Sequence, residues 1–282
     1  MQTDELPRVG PLLRHWRQRR KLSQLDLALK ADTSTRHLSC VETGRARPSR
    51  EMVLRLAEHL DIPLRDRNGL LLAAGYAPAY RETPLDNDRM AMARAALSSM
   101  LAGHDPYPAA VIDRVWDVVG CNRAMSVLLD LVPPHLTDPT ANVMRLILHP
   151  DGLASHCLNF AEVRAHALSR LLHQANATGH RDLRELYDEV SGYTAPPGVA
   201  PEPARVDPMG IVVPLRVRTP YGDMSFFSMI ATFGAPEDVT LSELAVEAFF
   251  PMDRSTEALL RCRASTGDEG ARTLRGEPRE RF

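Results

Sequence analysis

The sequence predicts two domains of different class, a small all-α bundle at the N-terminus and a larger α+β domain behind it. Three observations carry that prediction. Between Val9 and Pro63 the apolar residues recur at helical spacing, interrupted by capping and turn residues. From Pro108, and again from Ile211, the period becomes that of strands. Charge divides the chain at a similar place. Residues 1–50 hold eleven Arg or Lys against five acids, while all 282 residues together carry a net charge of -2. The first fifty residues therefore stand at +6 and the remainder at -8. A basic head on an acidic body is the footprint of a polyanion-binding module joined to a domain with another task.

The head reads as four helices in order. Val9–Arg20 carries Leu12, Leu13 and Trp16 as its apolar stripe. Ser23-Gln24-Leu25-Asp26 has the form of a capping box and opens a second helix, with Leu25, Leu27 and Ala28 expected inward. That helix stops near Ala31, and Asp32 takes the turn position, where a left-handed backbone is usual. Thr33 is the expected cap of a third helix over Ser34–Thr43, with Leu38 and Val41 inward and Gly44 ending it. Ser49 opens a fourth helix, with Val53, Leu56, Ala57 and Leu60 buried and Pro63 closing it. Two short helices around a tight turn, followed by a basic loop, are a helix-turn-helix, which seats its second helix in the DNA major groove.

These residues resemble the phage-repressor-like (XRE) helix-turn-helix family. Ser-Gln-x-x-Leu-Ala from Ser23, Glu42-x-Gly44-Arg45 and Pro48-Ser49 stand at that family's spacing, and Asp32 stands where Gly is typical. The resemblance implies a DNA surface made of Gln24, Ser34, Thr35, Arg36, Ser39, Cys40, Thr43, Arg45 and Arg47. Thr35 and Arg36 would reach base edges, with Cys40 deeper along the same face. Gln24, Thr43, Arg45 and Arg47 would hold the phosphate backbone, which positions without specifying. It also implies a buried ion pair between Arg17 and Glu42, locking the first helix to the third.

The body begins with a helix over Arg65–Ala74 and a longer one over Leu85–Ala102, read together as a connector. Two short strands follow, Ala109–Asp113 and Val115–Val119, turning near Arg114 and ended by Gly120. Asn122 is the expected cap of a helix to Leu131. The longest helix covers 153–176, with Leu153, Cys157, Phe160, Ala167, Leu168, Leu171, Leu172 and Ala175 forming one stripe. Arg164 lies on that stripe, where a charge must be paired, either with an acid of the protein or with an anionic ligand head. Asn159 borders the same face. A Pro-rich loop spans 195–208, and three strands follow: Ile211–Arg218, Met224–Phe233 and Leu244–Phe250, the last buried on both faces. The expected boundaries are 8–74 for the helix-turn-helix, 75–105 for the connector, 106–263 for a five-stranded antiparallel sheet with helices on one side, and 264–282 for a disordered tail.

The body resembles the ligand-binding domain of MmyB-like transcription regulators, a PAS-like fold. The carrying segments include Asp113-Arg114-Val115-Trp116-Asp117, Asn142-Val143-Met144-Arg145-Leu146, Pro150-Asp151-Gly152-Leu153 and Pro214-Leu215-Arg216. The resemblance implies a domain holding a long-chain fatty acid or related acyl molecule, with no other cofactor expected. Asn159 and Arg164 are the first candidates for its head group, and Arg114 and Arg145 the next. The combined reading is a sequence-specific regulator of double-stranded DNA, working as a homodimer and tuned by an apolar effector. The alternative is a body that binds a protein partner. An enzyme is not expected: the chain has no H-E-x-x-H, no G-x-S-x-G, no phosphate-cradling Gly loop and no paired Cys–His arrangement. No metal site is expected either, and His166 and His173, sharing a helix face, read as packing. The four cysteines, Cys40, Cys121, Cys157 and Cys262, are scattered and suit a reducing cytoplasm. No apolar run approaches the ~20 residues of a spanning helix, and the start has no secretory signal.

Overall fold

The computed structural model describes residues 8–196 and 211–265. They divide into two compact units. The first is the head to Thr83, with residues 176–178 and 235–242; the second is the rest.

The head contains α1 (Val9–Arg19), α2 (Gln24–Lys30), α3 (Thr35–Glu42), α4 (Arg50–His59) and α5 (Leu64–Ala73). Its core is Leu13, Trp16, Leu27, Leu38, Val41, Leu56 and their neighbours. The capping box at Ser23 forms as the sequence requires: the hydroxyl accepts from the Asp26 amide and the Asp26 carboxylate accepts from the Ser23 amide. Asp32 takes the left-handed conformation at φ 46°, and Gly44 does so at φ 73°. Gly10 is required by packing, since an added Cβ would lie 2.5 Å from the Val41 carbonyl oxygen. Two expectations need correction. The α3 cap is Ser34, whose hydroxyl accepts from the His37 amide, rather than Thr33. Leu25 faces outward at 56 % exposure, because a seven-residue helix has one inward stripe and Leu27 and Ala28 occupy it.

The second unit continues with α6 (Ala91–His104), β1 (Ala109–Ile112), β2 (Val118–Cys121), α7 (Ser126–Leu129), α8 (Val143–Leu148), α9 (Phe160–Thr178) and α10 (Arg181–Ser191). Then come β3 (Leu215–Thr219), β4 (Gly222–Thr232), β5 (Ala245–Pro251) and α12 (Arg254–Ser265). Between β4 and β5 lies α11 (Val239–Ser242), which with residues 176–178 of α9 belongs to the first unit. All five strands pair antiparallel in the order β2-β1-β5-β4-β3, so the last strand in sequence lies at the centre. One face, with Ala110, Phe226, Leu215 and Phe249, joins the apolar core beneath the helices. Phe250 on the other face meets His104 of α6 edge-on at 4.8 Å. That cover explains why β5 reads as buried on both sides.

Several local readings change. β2 starts at Val118 because Asp113 makes a side-chain turn: its Oδ1 accepts from the amides of Val115 and Asp117 at 2.9 Å each. Trp116 then sits at φ 71°, off the strand. Gly120 lies inside β2, opposite Val111, and does not end it. Asn122 makes no cap; its Oδ1 accepts from the Ala109 amide and its Nδ2 donates to the carbonyls of Tyr107 and Leu101, tying the strand start together. The long helix is broken, since Leu153–His156 is a 3₁₀ turn and α9 begins only at Phe160. β3 starts at Leu215, leaving Val213 39 % exposed. Ala264 and Ser265 belong to α12. The rest of the expected tail, and the Pro-rich segment from 197, lie outside the described residues. Among the described residues no helix is long and apolar enough to cross a membrane.

Candidate nucleic-acid interface and apolar cavity

α3 buries Leu38 and Val41 and turns Thr35, Arg36, Ser39 and Cys40 outward or half outward. What fixes the helix is a closed polar network behind it. Arg17 reaches Glu42 through two bonds, Nε to Oε1 at 2.6 Å and a terminal nitrogen to Oε2 at 2.8 Å. Its other terminal nitrogen donates to the Leu22 carbonyl. Gln24 Nε2 donates to Glu42 Oε2 at 2.8 Å. Burial alone would raise the Glu42 carboxyl, but the hydrogen bonds from Arg17 and Gln24 outweigh it and hold the group below its ordinary range.

The predicted DNA residues thus fall into two sets. Thr35, Arg36, Ser39 and Cys40 share the outer side of α3, and Thr43 and Arg45 continue it at the helix end. There Arg45 Nε donates to the Thr43 hydroxyl at 3.0 Å, and that hydroxyl donates to the Ser39 carbonyl. Ser34 sits at the start of the helix as its cap. Gln24 and Arg47 have inward duties as well. Arg47 donates to the carbonyls of Ala74 and Gly75 and stacks 5.1 Å over the Tyr76 ring, which ties the basic loop to the end of α5.

In the second unit an apolar cavity lies between the sheet and the helical block. It encloses about 570 Å³ of space free of protein atoms, including solvent at its mouth. Ala110, Leu215 and Phe249 line it from the sheet, and Leu128, Val143 and Leu146 from the helices. Small-molecule sites have mostly apolar walls with a few placed polar groups. One lining residue is polar: Glu247, in the central strand β5.

Two family models match the chain. The MmyB-like transcription regulator ligand binding domain matches residues 93–262, and a helix-turn-helix domain matches residues 8–70. The chain belongs to the MmyB-like regulator family. No curated protein matches it. The two matches together make it a DNA-binding transcription regulator with a small-molecule effector domain.

In this MmyB-like regulator the four predicted head-group residues are committed to protein partners, and none lines the cavity. Asn159 Nδ2 donates to the Pro214 carbonyl and Glu162, while its Oδ1 accepts from the Arg216 amide. It fastens β3 to the start of α9. Arg164 donates to the Ser191 carbonyl at 2.8 Å, at the end of α10. Arg114 pairs with Asp182 at 2.8 Å, and Arg145 meets Glu189 through two bonds of 2.8 and 2.7 Å. The Arg145 bonds hold the Glu189 carboxyl below its usual range.

Sequence reading missed Glu247. The available signal was an acid in the middle of a strand already read as buried on both faces. It also missed the approach of His135, His149 and Asp151, whose ligand atoms all lie within 4.8 Å of one another. Their spacing in the chain gives no hint of it. His166 and His173 are both exposed on α9, so neither packs in the core.

Proposed function

We propose that this regulator is a cytoplasmic, non-enzymatic homodimer whose hold on DNA is set by a fatty-acid-like apolar molecule in the second unit. The observation that carries the reading is the apolar cavity in a domain attached to a helix-turn-helix. DNA contacts alone require no such space. Thr35 and Arg36 read base edges, with Ser39 and Cys40 alongside. Ser34, Thr43 and Arg45 hold phosphates, and Gln24 and Arg47 add to this from positions already tied to the protein. An effector shifts DNA affinity only through unequal affinity for two states of the protein, so the occupied and empty cavity must favour different states. Pairing lets two heads read two half-sites. Met92, Ala96 and Met100, one turn apart along α6 and exposed, supply an apolar face of the kind pairing uses.

Native mass spectrometry and solvent extraction of the purified protein test the ligand, and selection of bound DNA with and without the extract tests the coupling. A co-purifying acyl chain and an operator affinity that changes on its removal are expected. An empty cavity with unchanged DNA binding would leave the second unit as a protein-binding module instead.

A further inference from the structure

Among the residues that line the cavity one is polar, Glu247, and its chemistry bears on what the ligand carries at its end. Glu247 is 4 % exposed. It stands in β5 opposite Ala110 of β1 and Ile230 of β4, one pleat from Phe249, so its side chain shares the inner face of the sheet with two residues that line the cavity. Its Oε1 lies 3.5 Å from an Arg170 nitrogen, long for an ion pair, and the same guanidinium stacks 4.4 Å over the Trp116 ring. Its Oε2 is buried and has no hydrogen-bond partner. Burial pushes the carboxyl up, and Arg170 and then the Ser228 hydroxyl only partly offset this. A buried oxygen left without a donor is costly, and such groups mark positions where a ligand completes the bonding.

We propose that Glu247 is the polar anchor of the cavity and binds a long-chain amphiphile whose end is an uncharged hydrogen-bonding group, a hydroxyl or an amide. This rests on the reading of the cavity as an acyl site and refines it. A hydroxyl or amide N–H donates to Oε2 when Glu247 is ionised, and each also offers an oxygen when Glu247 is protonated. A carboxylate end offers no donor and sets a second negative charge beside the first. It fits only when one of the two acids keeps its proton, and so binds more weakly at neutral pH. The site therefore selects against free fatty acids in favour of their alcohols and amides of equal chain length.

The test is titration of the delipidated full-length protein with 1-dodecanol and with sodium dodecanoate at neutral pH, followed by calorimetry. The wild type is expected to bind dodecanol at least about tenfold more tightly, the size expected for one hydrogen bond to a charged group. Glu247→Gln, which keeps the shape and adds an amide donor, should bring the two ligands to within about threefold by improving dodecanoate, and Glu247→Leu should weaken dodecanol. Thermal melts verify that both variants are folded; if neither folds, the wild-type ratio alone decides. Tighter binding of dodecanoate by the wild type would overturn the proposal and point to Arg170 as the anchor. A folded Glu247→Gln with an unchanged ratio would also overturn it, leaving Glu247 a structural partner of Arg170. Binding of neither ligand, by wild type or variants, would instead sink the acyl-site reading itself.

Discussion

Glu42 in the head and Glu247 in the body are each 4 % exposed, yet their surroundings push them in opposite directions. Glu42 receives both fork nitrogens of Arg17 and the amide of Gln24, and its carboxyl is held low. Glu247 has a long contact to Arg170, the Ser228 hydroxyl and one bare oxygen, and burial raises its carboxyl. The first is a closed network whose task is to fix a helix. The second is incomplete, on a residue that lines a chamber with apolar walls. A buried charge by itself distinguishes nothing; whether its bonds are complete separates scaffold from binding site.

The largest expected effect breaks the closed network. Glu42→Ala leaves Arg17 buried and unpaired and should cost the head about 3–5 kcal/mol, read by denaturant melts. Glu247→Leu should stay within about 1 kcal/mol of wild type, because Arg170 is partly exposed and retains its Trp116 contact. Equal losses would erase the distinction between the two acids. The pH dependence has a sign as well. The Glu42 carboxyl is lowered by folding, so its stabilisation is present above the unfolded value near 4.5 and fades as pH falls through the folded one. Glu247 is raised, so if the cavity is empty it opposes folding once pH passes the unfolded value.

The next effect sharpens the outer side of the head. Arg36→Ala should lose about 1–3 kcal/mol at particular base pairs and relax specificity there, measured by binding to a panel of operator variants. Arg45→Ala should weaken all sequences alike and reduce the salt slope by about one. Similar shifts in specificity from both variants would undo the division between base-reading and phosphate-holding residues.

The smallest effect concerns the residues first expected to hold the ligand head. Asn159→Ala and Arg164→Ala each remove bonds that fasten backbone segments, so each should lower stability by about 1–2 kcal/mol with ligand capture unchanged. A loss of acyl binding larger than the loss of stability would return the head-group site to α9.

The sequence by itself determined the elements that depend on near neighbours. The Ser23 capping box, the left-handed Asp32, the Gly44 stop, the buried stripes of α1, α3 and α4 and the alternation of β3 all arise from contacts within a few residues, and each can be read along the chain. The Arg17–Glu42 pair came from a family's spacing, not from periodicity. Only the tertiary structure decided what joins distant segments. It gave Asn159, Arg164, Arg114 and Arg145 partners from β3, α10 and their surroundings, and so withdrew them from the cavity. It also placed Glu247 at the centre of the sheet, because β5, last in sequence, pairs between β1 and β4. Hydrogen bonds across tens of residues leave no period in a chain. Whether a polar side chain is satisfied or waiting for a ligand therefore becomes visible only once the strands and helices have met.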